Sequence, residues 1–224
     1  MISAIIVDLD NTLFETRSIP SVMVESLLDS MRTANVGKDA VSSEVLSRAF
    51  EDSWSIPFPI VAARHKLPDR LVKLWTEWHQ AVEFTQPLLP YPDVVETLQV
   101  LREKRIFLCL LTSGYKRFQV AKIAALGLGE SFDLILIDAV DHMQVGKEKM
   151  IARLLRSRNW RPADVLIVGD SETSEIAAGK RLGIPTVQIL RPGVARSQIA
   201  DRHIALLSEL LNADEGPGTA NGIL

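Results

Sequence analysis

Two aspartates stand one residue apart in Val7-Asp8-Leu9-Asp10-Asn11-Thr12-Leu13, directly after an apolar run. Carboxylates this close repel, and each holds its proton more tightly unless a cation joins them. Asp and Asn are also common turn residues, so the pair has a purely structural reading too. A third acid weighs against that reading. Asp170 closes Leu166-Ile167-Val168-Gly169-Asp170, a second apolar run ending in a small residue. Asp8 and Asp170 thus offer oxygen ligands to a hard cation. A few carboxylates completed by water and a substrate oxygen is the arrangement magnesium prefers. Thr112 follows Leu111, with Ser113 and Gly114 behind it. A hydroxyl and free backbone N–H groups there suit a phosphoryl oxygen, although Thr-Ser-Gly is equally a good helix start. Lys147, in Val145-Gly146-Lys147-Glu148-Lys149, could neutralise such an anion. Lys149 competes for that role; Gly146 favours Lys147 because it lets the backbone approach closely.

These residues need elements to hold them. Short runs at 3–7, 106–111, 134–137, 165–168 and 186–190 are apolar throughout, as strands covered on both faces must be. Amphipathic stretches at 93–104, 117–126, 149–156 and 175–182 have helical spacing and separate the strands. Strand and helix in alternation imply an α/β fold, a Rossmann-like doubly wound parallel sheet with right-handed crossovers. Ligands bind beyond the carboxyl ends of such strands, and Asp8, Thr112 and Asp170 fall at three of those ends.

One segment breaks the alternation. Between the first strand and position 93 no strand is legible, while 19–32, 43–54 and 67–84 read as helices. Ser42-Ser43-Glu44 and Pro68-Asp69 are plausible starts, and Pro57, Pro59, Pro87, Pro90 and Pro92 mark breaks. The expected organisation is an α/β core of residues 1–14 and 89–211, an α-helical cap domain inserted at 15–88, and a loose tail at 212–224.

Composition narrows the partners. A formal net charge of −3 gives no electrostatic case for nucleic acid or an anionic membrane, so an anionic ligand must be captured locally. No window approaches the roughly 20 apolar residues of a membrane span. Cys109 is the one cysteine of the 224 residues and lies in an apolar run. An inert buried thiol in a reducing, cytoplasmic setting is the simplest reading.

Asp-x-Asp-x-Thr at 8–12, Thr-Ser-Gly at 112–114, Lys147 and Gly-Asp at 169–170 resemble, in order and spacing, the motifs of the haloacid dehalogenase superfamily. The resemblance covers nearly the whole chain and implies its phosphatase branch with a helical cap, the subgroup similar to phosphoglycolate phosphatase. It implies hydrolysis of a small phosphate monoester, with Asp8 as nucleophile forming an aspartyl phosphate. Asp10 would act as acid and then base, and Thr112, Ser113, Gly114 and Lys147 would bind the phosphoryl group. The implied cofactor is Mg2+, held by the Asp8 carboxylate, the Asp10 backbone carbonyl and Asp170. The acid at Asp10 argues against the halide-removing branch, which lacks one there. The family usually places an aspartate four or five residues after the Gly-Asp aspartate; here Glu175 stands in that place, as either a helper at the site or an ordinary helix-start acid. A sugar phosphomutase and a non-catalytic, metal-binding or regulatory member are the alternatives. The expected partner is a small phosphorylated metabolite, with no nucleic acid and no membrane, for a monomer or homodimer. Trp54, Phe58, Trp75 and Trp78 could stack on a flat substrate but fit better as the cap's own core. Arg17, Arg64, His65 and His79 are candidates for a second substrate charge, although each alone fits better as a surface or structural residue.

Overall fold

Strand β1 (Ala4–Val7) is buried along its whole length and pairs in parallel with β2 (Phe107–Gly114) on one side and β4 (Val165–Gly169) on the other. This computed structural model describes residues 2–211. With β3 (Leu134–Ala139), β5 (Thr186–Ile189) and β6 (Arg202–Ile204), these strands make one parallel sheet in the order β3-β2-β1-β4-β5-β6. The chain works outward from β1 to β3, then crosses back to β4 and works outward the other way. Strand order therefore reverses beside β1, where α/β sheets open a crevice at their carboxyl ends.

The apolar strands divide cleanly by parity. Ile5, Val7, Leu108, Leu110, Leu166 and Val168 face one buried cluster; Ala4, Ile6, Cys109, Leu111, Val165 and Ile167 face the other. That is the period-two alternation of a strand buried twice. Helices α5 (Val94–Glu103) and α6 (Lys116–Ala125) cover the first face; α7 (Lys147–Arg158) and α8 (Ala177–Leu182) cover the second. Cys109 belongs to this interior, and burial pushes its thiol up to about 12.

Between β1 and α5 lie α1 (Ser21–Ala34), α2 (Ser43–Asp52), α3 (Phe58–His65) and α4 (Asp69–Ala81). Ser42 caps α2, its hydroxyl accepting from the Val45 N–H at 3.3 Å. Helix α3 was not expected, because Pro57 and Pro59 read as breaks. They instead occupy its N-cap and first turn, where a missing N–H is not needed. The apolar interior runs on into this segment through Leu27, Met31, Leu46, Val61, Leu71 and Trp75.

Other boundaries shift in informative ways. β6 adds an edge strand that Arg202-His203-Ile204 did not announce, because an edge strand need not be apolar. Strand β2 continues through Thr112, Ser113 and Gly114, pairing Ser113 with Asp138, so this tripeptide ends a strand instead of opening a helix. Helix α8 is preceded by a π-helical turn, Glu172–Ile176. The loose tail expected at 212–224 lies outside the described residues. Among the described residues no helix is long and apolar enough to cross a membrane.

Candidate active site

The turn after β1 folds tightly. The N–H groups of Thr12 and Leu13 both donate to the Leu9 carbonyl, at 3.3 and 2.9 Å, and Asn11 takes a left-handed φ of 54°. Asn tolerates that conformation better than most residues. Its side-chain oxygen accepts from the Thr16 N–H at 3.2 Å. The buried Arg191 guanidinium donates to the Thr12 carbonyl at 3.2 Å and to Asp93 at the start of α5 at 3.1 Å. The turn is thereby pinned from two directions, and Asp8 and Asp10 are held on one side of it.

At Asp8 three further elements converge. Lys147, the first residue of α7, donates from Nζ to Asp8 Oδ1 at 2.5 Å and to Glu175 Oε2 at 2.9 Å. Lys147, Asp8 and Glu175 are all buried, while Lys149 is exposed. What starts α7 at that point is Asp138 at the end of β3. It accepts from the backbone N–H groups of Val145 and Gly146 at 3.0 and 3.1 Å, and Gly146 turns the chain with a φ of 87°. Glu175 reaches back over the end of β4, where its Oε1 accepts from the Ser171 N–H at 2.7 Å. The extra methylene of Glu over Asp fits because position 169 is glycine: a Cβ there would lie 2.3 Å from Glu175 Cγ. Glu175 therefore belongs to the site and is not merely a helix-start acid.

Asp8, Asp170 and Glu175 each offer a carboxylate oxygen within 4.8 Å of the others. Burial, with Glu175 and Asp10 adding to it against the pull of Lys147, raises the Asp8 carboxyl to about 7. Burial and the Asp8 and Glu175 charges raise Asp170 to about 8. One lysine does not balance three carboxylates, of which Asp8 and Glu175 are buried and Asp170 half-buried. An all-oxygen cluster whose acids are driven toward neutrality fits a hard divalent cation.

Asp10 sits differently. Lys122 Nζ donates to its Oδ1 at 2.5 Å, and Gln119 Nε2 to its Oδ2 at 2.9 Å. Weaker contacts come from Thr16 Oγ1 to Oδ1 at 3.4 Å and from Thr112 Oγ1 to Oδ2 at 3.5 Å. Burial alone would raise this carboxyl, but Lys122 and Gln119 outweigh it and hold it below the ordinary value. Thr112 is fully buried and also accepts from Gln119 Nε2, at 2.8 Å.

Gln119 and Lys122 were not singled out from the sequence. Their signal was present but faint. They are two polar residues three apart on a face of α6 that otherwise buries Phe118 and Ile123.

A cavity of about 1040 Å³ is lined by Asp8, Asp10, Thr112, Ser113, Gly114, Lys147 and Asp170 around the carboxyl ends of the strands, and by Phe50, Trp54 and Trp78 from the segment between β1 and α5. Trp75 stacks on Phe58 with centroids 4.0 Å apart, as expected of a core of the helical segment's own. Of the candidates for a second substrate charge, Arg64 and His65 both turn to Asp52, at 3.2 and 2.8 Å, the structural use favoured for each. His79 is used structurally too, its Nδ1 engaging the Trp75 carbonyl at 2.8 Å. Burial drives its pKa down to about 3, so it carries no charge to offer. Arg17 lines the cavity, pairs with Glu51 and lies over the Trp54 ring.

A doubly wound sheet with acids beyond β1 and β4, a buried hydroxyl at the end of β2 and a lysine at the start of α7 defines a class of hydrolase-like site. The haloacid dehalogenase-like hydrolase family matches residues 5–189, and the chain belongs to that family. The glyceraldehyde 3-phosphate phosphatase of Methanopyrus kandleri is 27% identical over 200 residues, covering 85% of this chain and 85% of that one. The phosphoglycolate phosphatase of Aquifex aeolicus is 25% identical over 215 residues, covering 92% and 94%. The crystal structure of a HAD phosphatase from Thermococcus onnurineus matches with a TM-score of 0.67 at 24% identity, over 94% of this chain and 97% of that one. The L-2-haloacid dehalogenase of Xanthobacter autotrophicus shares the fold as well, with a TM-score of 0.57 at 19% identity over 97% and 100%. Fold alone therefore leaves the chemistry open, and the side chains must decide it.

Proposed function

We propose that this chain is a magnesium-dependent phosphatase that hydrolyses a small phosphate monoester through an aspartyl phosphate on Asp8. The observation that carries the reading is Asp8 itself: a buried carboxylate at the end of the central strand, with Lys147 Nζ 2.5 Å from one oxygen and Asp10 one residue beyond its neighbour. In the first half-reaction a free oxygen of Asp8 attacks phosphorus and the ester P–O bond breaks. The leaving alkoxide takes a proton from Asp10. In the second, Asp10 accepts a proton from water as that water displaces the phosphoryl group from Asp8. Asp10 is ionised in the free site; a phosphate dianion arriving beside it raises its proton affinity, as a like charge must.

Lys147, the Thr112 hydroxyl and the Ser113-Gly114 backbone would hold the phosphoryl oxygens. Positioning and charge neutralisation are most of what phosphoryl transfer asks of a protein. Magnesium, taken by the Asp8 carboxylate, Asp170 and the Asp10 backbone carbonyl, would supply further neutralisation of the transferring group. Glu175 holds Lys147 and the Ser171 backbone in place around it. The helical segment at 15–88 acts as a lid that admits substrate and then excludes water. The names of the curated relatives favour a small phosphorylated metabolite, and the chain is read as a cytoplasmic monomer or homodimer.

The test is phosphate release from glyceraldehyde 3-phosphate, 2-phosphoglycolate and p-nitrophenyl phosphate, with magnesium and with EDTA, by the wild type and Asp8→Asn. Magnesium-dependent release that Asp8→Asn abolishes is the expected result. Folded wild-type protein that releases nothing with magnesium present, or an Asp8→Asn variant that keeps its turnover, overturns the reading.

A further inference from the structure

A carboxylate that must move protons needs its orientation fixed, and the grip on Asp10 comes from an element far away in sequence. We propose that Lys122 and Gln119 of α6 are the residues that position Asp10 for proton transfer. The proposal rests on the reading of Asp10 as the acid–base group.

The two side chains bind different oxygens, Lys122 on Oδ1 and Gln119 on Oδ2, so together they fix the rotation of the carboxyl plane. Gln119 links that plane to the expected phosphate end of the site, because the same Nε2 reaches Thr112 Oγ1 at 2.8 Å and the Ser113 carbonyl at 2.5 Å. Its Oε1 is buried and has no partner among the described residues, so within them the amide is committed through its nitrogen. A glutamine kept only for stability would satisfy both ends. Position 114 makes room for it: a Cβ there would lie 2.8 Å from Gln119 Nε2.

Lys122 is the more telling of the two. It is 3% exposed, and Asp10 is the one carboxylate it pairs with among the described residues. Its ammonium otherwise lies over the faces of Phe14 and Phe118, at 5.6 and 5.0 Å from the ring centroids. An apolar side chain between two phenyl rings would serve packing at least as well, since buried ion pairs seldom improve on a hydrophobic replacement. A buried lysine retained there acts on the group it touches. It does so through Asp10, which makes it a positioning residue.

The experiment compares Asp10→Asn, Lys122→Met, Lys122→Arg and the Asp10→Asn/Lys122→Met double variant, with thermal melts to establish that each folds. Two esters are used with magnesium: 2-phosphoglycolate, whose alkoxide needs a proton to leave, and p-nitrophenyl phosphate, whose phenolate needs little help. Lys122→Met should lower kcat/KM for 2-phosphoglycolate about 10²-fold and for p-nitrophenyl phosphate by several-fold less, following the demand for acid catalysis. Lys122→Arg should recover most of the loss, and the double variant should be no worse than Asp10→Asn alone. Equal losses on both esters, no recovery with arginine, or losses that multiply in the double variant overturn the proposal. If Asp10→Asn itself keeps wild-type turnover, the acid–base reading fails first and takes this proposal with it. If Asp10→Asn is crippled while Lys122→Met matches wild type, only the positioning role falls.

Discussion

The two aspartates of one short turn live in opposite environments. At Asp8, three carboxylates cluster around one lysine that pairs with two of them, and the acids at 8 and 170 are pushed up to about 7 and 8. At Asp10, a lysine, an amide and two hydroxyls converge on one carboxylate, which is held below its ordinary value. The first corner lacks positive charge and suits a divalent cation. The second is already balanced by the protein. Two acids one residue apart are thus given different environments by what the rest of the chain brings to each, and under the proposed function that difference separates a nucleophile from a proton carrier.

The largest expected effect that sharpens this contrast comes from Lys147→Met. With Lys147 gone, the Asp8 corner loses the one lysine or arginine paired with it among the described residues and, under the proposed function, its hold on the phosphoryl group. The kcat should fall about 10²- to 10³-fold, the range for removing one preorganised electrostatic contact. Steady-state kinetics with a phosphate ester checks it, and a loss below tenfold would mean that Lys147 serves mainly to pair the acids at rest.

Next comes the response to pH and metal. Without a cation, the folded chain keeps protons on Asp8 and Asp170 up to about pH 7 and 8, against 3.8 for a free carboxyl. Across that window the folded state binds more protons than the unfolded one, so this contribution is complete below about pH 4 and is lost as pH rises through 7 to 8. In EDTA the melting temperature should fall on the order of 5 °C between about pH 5 and pH 8. Magnesium should remove most of that slope, because a bound cation favours the ionised acids. Thermal melts on a pH grid, with and without magnesium, check both statements. A slope that rises with pH, or that ignores magnesium, would break the contrast between the two corners.

The smallest expected effect is structural. Gly169→Ala places a methyl 2.3 Å from Glu175 Cγ, inside the Asp8 corner and away from Asp10. It should destabilise the fold by about 1–3 kcal/mol, the usual cost of overpacking, and loosen the Glu175–Lys147 pair. Denaturant titration gives the energy.

The sequence by itself determined a good deal. Runs buried on both faces must be apolar throughout, which made β1, β2, β4 and β5 legible. Strand β3, at an edge and only half-buried over most of its length, was legible because Leu134 to Ile137 are apolar all the same; β6, at the other edge with Arg202 and His203, was not. The strand-end acids Asp8 and Asp170 were readable because the parallel topology sends every strand's carboxyl end to the same rim. Gly146, expected to let the backbone approach closely, serves its φ of 87° instead, since a Cβ there would meet nothing within 4 Å. The close approach is at Gly169, against Glu175, and nothing local announced it. Tertiary structure alone decided the rest. Helix α3 was hidden because prolines that break a helix interior also begin a helix, and sequence cannot tell the two uses apart. Lys147 prevailed over Lys149 because Asp138, on a different strand, fixes where α7 starts. Lys122 reaches Asp10 from more than a hundred residues away, and a lysine on an amphipathic helix looks like a surface residue until the fold turns its face inward. Local pattern encodes which elements form and where their ends point. The environment of each acid, and with it the charge it carries, is a property of what long-range packing places beside it.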